Sequence, residues 1–246
     1  MKQSTRIGAD ATIRQLTEGF SLPLPPLQRL QVEVICKGLL HIWQVLVERE
    51  PEAVAVSDEP GLNSVLVSAI NRQLALDDPD LRAFAMLVQR AESGVQAPNY
   101  QGDRLELRPD ICLPLKARGP AFLHPLVVEC KILDRPQKKT VPLYCKEGLL
   151  QFVNGDYAWT RQEGFMFAYV RDGSTIGDSL TPFLSNSMQS GTDDYGTLCL
   201  PESVDTAVDQ AVSNHRRSFR YVDSASKDLP GAIVIRHLWV DARHRK

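Results

Sequence analysis

The sequence predicts an α/β protein of the α+β type, because helical patterns dominate its first part and strand patterns follow. Apolar residues recur every three or four positions between residues 27 and 92, which indicates helices. Two apolar segments, residues 105–115 and 125–133, are separated by turn residues, which indicates a hairpin. This order differs from the strict strand–helix alternation of a doubly wound fold.

Three helices are expected before the hairpin. The first follows the prolines of SLPLPPLQ, which suit the start of a helix, and it ends near Pro51. The second begins near Glu59 and carries an apolar stripe along one face. The third spans Pro79 to Glu92, where acidic residues stand at the expected N-terminus.

The second half of the chain contains both kinds of element. After the hairpin we expect an exposed basic loop at residues 134–140. A helix, a strand, a short helix and a last strand are then predicted, at residues 143–154, 165–170, 181–189 and 231–240.

Composition narrows the class of protein. The 246 residues are 43% hydrophobic and carry a net charge of −2, with a pI near 6.2, so any nucleic-acid contact must rely on a local basic patch. The five cysteines show no CxxC spacing, which argues against a zinc module or a disulfide framework. Without a long apolar run or an apolar leader, we expect a cytoplasmic protein that has no membrane span.

The chemistry is predicted to lie on the hairpin. Alternation along a strand places Glu129 and Lys131 on the same face, while Cys130 points to the other face. Asp110 lies on the preceding strand, so pairing of the two strands can bring it close to Glu129. Two neighbouring carboxylates repel each other, and a divalent cation removes that penalty. Mg²⁺ prefers oxygen ligands, and the main-chain carbonyl of Cys130 is a candidate third ligand.

These residues resemble a known nuclease signature. Pro109-Asp110, followed after eighteen residues by Glu129-Cys130-Lys131, is similar to the motif of the PD-(D/E)XK superfamily, the restriction-endonuclease-like fold. The resemblance implies an αβββαβ core with a mixed central sheet flanked by helices. It divides the chain into an N-terminal helical extension, residues 1–54, and a nuclease-like domain, residues 55–246.

The resemblance also implies further site residues. A glutamate on the first core helix often joins the site in this superfamily, and Glu59 is the matching candidate for catalysis and metal binding. Many members carry a glutamine on the helix after the lysine, a position that Gln151 fits, although the usual tyrosine four residues later is absent. Either residue can instead have a structural role, Glu59 at a helix N-terminus and Gln151 in hydrogen bonding.

The implied reaction is hydrolysis of a phosphodiester. Asp110 and Glu129 would hold Mg²⁺, for which Mn²⁺ can substitute, and Lys131 would position or activate water. The superfamily mostly cuts DNA, so a DNA endonuclease of prokaryotic anti-phage or anti-plasmid defence is expected, with RNA left open. A homodimer and partner proteins of a defence system are candidate assemblies.

Basic residues elsewhere are candidate phosphate contacts. They lie in the loop after the ExK segment and near the end of the chain, at Lys138, Lys139, His215, Arg216 and Arg217. Such residues are often only solvated, and His237 is expected to pack in the core.

Other readings compete with catalysis. The chain can be a non-catalytic nucleic-acid-binding or scaffold subunit with the nuclease fold, or the Glu129–Lys131 pair can be a surface ion pair. The sequence contains no HExxH, GxxxxGK[ST] or GxSxG motif, which argues against a zinc hydrolase, a P-loop and a nucleophile elbow.

Overall fold

A six-stranded mixed sheet forms the centre of the protein. The computed structural model describes residue 13 and residues 15–116, 124–205, 207–221 and 229–243. The strands are β1 (Ile111–Leu113), β2 (Leu126–Leu133), β3 (Glu163–Val170), β4 (Thr197–Asp205), β5 (Asp209–Arg216) and β6 (Ala232–Asp241). Their order is β1-β2-β3-β6-β5-β4, with β2, β3 and β6 parallel to one another and the outer pairs antiparallel.

Helices cover both faces of this sheet. Those before the hairpin are α1 (Arg29–Arg49), α2 (Pro51–Val56), α3 (Glu59–Ala75) and α4 (Arg82–Leu87). The next helical segment, α5, runs without interruption through Val141–Leu143, a π-helical stretch at Tyr144–Leu149, and Leu150–Val153. A second π-helical stretch, Ile176–Leu180, leads into Thr181–Gln189, and together they form α6. The α+β class with a mixed sheet flanked by helices is therefore confirmed.

Two apolar clusters hold the layers together. One face of the sheet packs against α1, α3 and α4 through side chains such as Cys130, Phe167 and Leu238. The opposite face packs against α5 and α6 through side chains such as Val127, Met166 and Trp239. The alternation of side chains along β2 and β6 thus supplies both clusters from the same strands.

Helix α1 belongs to the larger cluster. Trp43 packs against Phe167 and Tyr169 of β3, and its indole N–H donates to the Asp241 carbonyl oxygen over 3.2 Å. Among the described residues, α1 is the single helix long and apolar enough to cross a membrane, but half of its apolar window is buried in the protein, as in the core helices of soluble proteins. The predicted division at residue 54 stays a prediction, although α1 and the sheet share one core.

The predicted elements agree with the structure where apolar periodicity is strong. The strands at residues 125–133, 165–170 and 231–240 and the helices at 143–154 and 181–189 are confirmed to within a few residues. The third helix is shorter than predicted, because it ends at Leu87 and the next residues pair with the hairpin. The predicted strand at 105–115 shrinks to β1, and Asp110 precedes β1 instead of lying within it.

Two strands were not predicted. Strands β4 and β5 have polar sequences, TLCLPESVD and DQAVSNHR, and lack the apolar run that marks β2 or β3. β4 is an edge strand with mostly exposed side chains and three register shifts against β5. Tertiary pairing, not local propensity, makes these segments strands.

Candidate active site

The site forms where β1 stops pairing with β2. β1 begins at Ile111, opposite Val128, and the preceding Pro109 has no backbone N–H with which to continue the pairing. Beyond Val128, β2 therefore presents backbone N–H groups without a strand partner on that side. Two carboxylates take that place: Cys130 N donates to Asp110 Oδ2 over 2.8 Å, and Ile132 N donates to Glu59 Oε2 over 2.9 Å.

Local structure fixes the position of Glu59. Asp58 caps α3 by accepting a hydrogen bond from Gly61 N over 2.9 Å, so Glu59 stands in the first helical turn, where a negative charge is favoured. Arg171, at the end of β3, donates to the carbonyl oxygens of Val54 and Ser57, which ties the segment before α3 to the sheet.

The Lys131 ammonium lies at the centre of the cluster. Its Nζ is 2.8 Å from Glu129 Oε1, 3.2 Å from Glu59 Oε1 and 3.6 Å from Asp110 Oδ2. The same atom donates to the Cys130 carbonyl oxygen over 2.9 Å. The structure thus brings together Asp110, Glu129, Lys131, Glu59 and the Cys130 carbonyl, all five of the core site groups predicted from the sequence.

Glu129 carries the most perturbed carboxylate of the cluster. Its side chain is 6% exposed, and burial followed by the charge of Asp110 raises its pKa to about 8. Its Oε2 is buried and is one of the polar atoms of the described residues that lack a hydrogen-bond partner. A buried acceptor without a donor is costly, so this atom is suited to take a proton or a cation.

Burial and neighbouring charges also shift the pKa values of Asp110 and Lys131. Burial raises the pKa of Asp110, while the Lys131 ammonium opposes that rise. Burial alone would lower the pKa of Lys131, but the carboxylates of Glu129, Asp110 and Glu59 outweigh it and hold that pKa above its usual range. Lys131 is therefore cationic in the protein without a bound metal.

Comparison with protein-family models, with curated proteins and with solved structures gives no match. The functional reading of this cluster rests on its geometry and on the resemblance of its motif.

Helix α5 covers the cluster on the α5–α6 side of the sheet. A Cβ added at Gly148 would lie 3.5 Å from Glu129 Cγ and 2.4 Å from Met166 Cε, so glycine allows the helix to approach β2 closely. Gly148 lies in the π-helical stretch of α5, a type of irregularity that often occurs at functional sites.

Gln151 and Tyr157 follow that helical stretch. Gln151 is half-buried, and its Oε1 is buried without a hydrogen-bond partner, but none of its described hydrogen bonds reaches the cluster. The Tyr157 hydroxyl donates to the Arg108 carbonyl oxygen over 3.3 Å. Burial, and after it the charges of Glu129 and Asp110, raise the pKa of Tyr157. Tyr157 carries no functional signal in the sequence beyond its place after Gln151.

The structure separates the five predicted phosphate contacts into two groups. Lys138 and Arg216 are exposed, and Lys139 is half-exposed, so their predicted contacts stay predictions. His215 and Arg217 are buried, with relative exposures of 0% and 4%, which corrects the expectation that they reach a phosphate. The Arg217 guanidinium donates instead to the carbonyl oxygens of Arg161 and Gly231.

His215 belongs to a buried hydrogen-bonded chain. Tyr144 Oη lies 2.7 Å from His237 Nδ1, and Ser213 Oγ lies 2.7 Å from both His237 Nε2 and His215 Nε2. His215 Nδ1 is 2.9 Å from the Tyr195 carbonyl oxygen. One set of neutral tautomers satisfies every contact, with each hydroxyl and ring N–H donating toward Tyr195. The expectation that His237 packs in the core is confirmed.

A different set of residues is spaced closely enough to hold a metal ion. Among the described residues, only His41, Asp78 and Asp80 bring three side-chain ligand atoms within 4.8 Å of one another. All three are at least partly exposed, and none was predicted as a ligand. Asp110, Glu129 and Glu59 are spread around the Lys131 ammonium and do not meet this spacing.

Proposed function

We propose that this protein is a metal-dependent nuclease of the PD-(D/E)XK type that hydrolyses phosphodiester bonds. The observation that carries the proposal is the convergence of Asp110, Glu129 and Glu59 on the Lys131 ammonium at the edge of β2. The three carboxylates come from different elements, so a surface ion pair on one strand does not explain the arrangement. Holding them together in a largely buried site costs free energy, which favours a functional reason.

The order of elements supports the restriction-endonuclease-like core. Its αβββαβ pattern needs three strands between the first helix and the second, whereas the described residues show β1 and β2 there. The segment after α4 acts as the missing strand, since Val88 bridges to Leu115 and Glu92 bridges to Cys112 in antiparallel fashion. Three extended segments thus precede α5, and β3 follows it parallel to β2.

The residues fit a hard divalent cation. The available ligands are the carboxylates of Asp110, Glu129 and Glu59 and the Cys130 carbonyl, and all of them offer the oxygen atoms that Mg²⁺ and Mn²⁺ prefer. Glu129 Oε2 lacks a hydrogen-bond partner, and the Glu129 and Asp110 carboxyl groups interact closely, so a cation would stabilise the pair. The chemistry that such an ion supplies is Lewis-acid activation of the phosphate and of the attacking water.

The other steps of catalysis would depend on the side chains of the cluster. Asp110, which accepts a hydrogen bond from Cys130 N at the end of the β1–β2 pairing, would hold the cation together with Glu129. In the protein without metal, Glu59 holds the Lys131 ammonium and the β2 backbone in place. The Lys131 ammonium donates hydrogen bonds to the phosphate and the water and offsets the negative charge that builds up during attack.

The substrate and setting follow from the resemblance. DNA is the expected substrate, and anti-phage or anti-plasmid defence in a prokaryotic cytoplasm is the expected context. A homodimer would supply two sites for the two strands, and partner proteins would supply a trigger or sequence preference.

Cleavage of plasmid DNA tests the proposal. Purified protein should relax and linearise supercoiled plasmid in the presence of Mg²⁺ or Mn²⁺. Asp110→Asn, Glu129→Gln and Lys131→Ala should each lower the rate by roughly a hundredfold or more. Absence of cleavage of DNA and RNA by the wild-type protein with either metal would refute the catalytic reading.

Matched controls come from helix α5. Lys146 and Glu147 are exposed neighbours of the site, so Lys146→Ala and Glu147→Gln should retain full activity. A protein that binds DNA with or without metal but never cleaves it would support the alternative, a non-catalytic nucleic-acid-binding or scaffold subunit.

A further inference from the structure

The Lys131 ammonium contacts every group that the proposed site offers to a metal. Within 3.6 Å it meets the carboxylates of Glu129, Glu59 and Asp110, and it also meets the Cys130 carbonyl oxygen. An ammonium has three N–H donors, and three of these four oxygens accept them within 3.2 Å. Its side chain is only 13% exposed, so the position is well defined by packing.

A divalent cation cannot bind the same oxygens while the ammonium stays there. Mg²⁺ requires oxygen ligands at roughly 2.0–2.1 Å, so it would come into direct contact with the positive charge of Lys131. Two like charges at such a distance in a largely buried site repel strongly. The carboxylates also need to close up, because they are now spread around Nζ more widely than three metal ligands would be.

We propose that Lys131 is an internal counter-ion that occupies the cation position of the resting site and that must swing out before a divalent metal binds. This inference rests on the proposed function and adds that the Lys131 ammonium and the metal compete for the same oxygen atoms. The swing moves the ammonium from the carboxylates toward solvent, which reaches the partly exposed side chains of Asp110 and Glu59. There the phosphate oxygens of a bound nucleic acid can accept its hydrogen bonds, so metal and substrate bind more readily together than separately.

The competition predicts an increase in metal affinity when the lysine charge is removed. Methionine has a similar unbranched stem and no charge, so Lys131→Met should bind Mn²⁺ at least tenfold more tightly than the wild-type protein at pH 8. Free Mn²⁺ can be measured directly by electron paramagnetic resonance during a titration without nucleic acid, which needs no catalytic activity.

Two further variants locate the effect. Lys146→Met makes the same chemical change at an exposed position of α5 and should leave the Mn²⁺ affinity unchanged. Asp110→Asn/Lys131→Met should lose the gain, because one of the carboxylate ligands is removed. A crystal structure of the wild-type protein with Mn²⁺ should show Lys131 Nζ separated from both Glu59 and Glu129.

The outcomes separate the inference from the proposed function. Equal or weaker Mn²⁺ binding by Lys131→Met, with binding still dependent on Asp110, overturns the counter-ion role and leaves the nuclease proposal standing. Absence of Mn²⁺ binding in both proteins overturns the two proposals together.

Folding of the variant gives a second readout. Removal of the ammonium leaves three carboxylates without their cation, so Lys131→Met should be less stable than wild type without metal and should recover stability in Mn²⁺. If it folds only in the presence of Mn²⁺, the ion has replaced the ammonium and the inference is supported. If it fails to fold with and without Mn²⁺, the cluster does not accept the ion in that position and the inference is refuted.

Discussion

At the scale of single residues, Glu59 does two things with one carboxylate. Its Oε1 accepts a hydrogen bond from Lys131, and its Oε2 accepts one from the Ile132 backbone. The second contact would survive in a glutamine, because an amide oxygen also accepts, whereas the negative charge would not. Gln151, by comparison, shows no hydrogen bond to the cluster.

Substitution of these two residues should therefore have unequal effects on activity. Glu59→Gln should lower the rate of DNA cleavage by roughly a hundredfold while the protein stays folded. Gln151→Ala should lower it by less than about tenfold. Steady-state cleavage assays together with circular dichroism measure both effects, and equal losses in the two variants would contradict the assignment of Glu59 to the site.

The buried histidines make a second prediction at this scale. Burial lowers the pKa of His215 to about 4 and that of His237 to about 3, whereas both titrate near 6.5 in the unfolded chain. Below about pH 6.5 the unfolded state therefore binds more protons than the folded state. The contribution of each histidine to the free energy of unfolding is full above that pH and is lost as the pH falls toward 4 for His215 and 3 for His237.

When the pH falls from 7.5 to 5, the titration of each histidine should lower the free energy of unfolding by about 2 kcal/mol. Urea unfolding of wild type at the two pH values gives the total change, to which the carboxylates also contribute. In His237→Gln the loss of stability over this pH range should be smaller than in wild type by about 2 kcal/mol. An identical loss in wild type and His237→Gln would contradict the prediction.

The local part of the site was predictable, and the long-range part was less so. Alternation along one strand places Glu129 and Lys131 together, and a hairpin brings Asp110 to them. Glu59 arrives from 72 residues away in sequence, which only the packing of α3 on the sheet decides. Burial of His215 and Arg217 was not predictable, because β5 was not recognised as a strand.

At the scale of secondary-structure elements, α5 owes its place to small residues and an irregular turn. Gly148 lies in the π-helical stretch against Met166 and Glu129, while Gly177, in the π-helical stretch of α6, has no heavy atom within 4 Å of an added Cβ. The two glycines have the same local structure and opposite surroundings.

Replacement of each glycine by alanine should separate these surroundings. Gly148→Ala should cost about 1–3 kcal/mol of stability, because the new methyl group displaces Met166 and crowds Glu129. Gly177→Ala should stay within about 1 kcal/mol of wild type or be slightly more stable, since alanine favours helix. Chemical denaturation measures both, and equal stabilities would show that α5 can move away from β2 freely.

Elements with continuous apolar character were predicted well, and polar ones were not. β2 and β3 are buried on both faces over most of their length, and β6 is buried on both faces from His237 to Val240, so these strands show as apolar runs. β4 and β5 show no such run, because many of their side chains face solvent. The third predicted helix ended early because Val88 and Glu92 form bridges to the hairpin, a contact that periodicity does not reveal.

At the scale of the whole molecule, α1 and the sheet share one core. Trp43 is 3% exposed and touches Phe167, Tyr169 and the end of β6. The proposed catalytic face therefore depends on a helix that lies outside the domain predicted for it.

Truncation of the Trp43 side chain tests this dependence. Trp43→Ala should lower the free energy of unfolding by about 3–5 kcal/mol, as expected for a large buried aromatic residue. Leu30→Ala on the same helix removes a side chain that is 69% exposed and should have little effect. Thermal and chemical unfolding measure the difference, and a stable Trp43→Ala protein would indicate that α1 is a separable extension.

The irregular outer strand β4 bears on how the protein behaves at high concentration. An unpaired strand edge is a template on which other chains can add, and natural proteins protect such edges with bulges, proline and charge. β4 has all three, with its register shifts, Pro201, and the acidic residues Glu202 and Asp205. These features protect the β4 edge of the sheet against self-association into aggregates, while at the other edge the segment after α4 bridges β1 through Glu92 and Cys112.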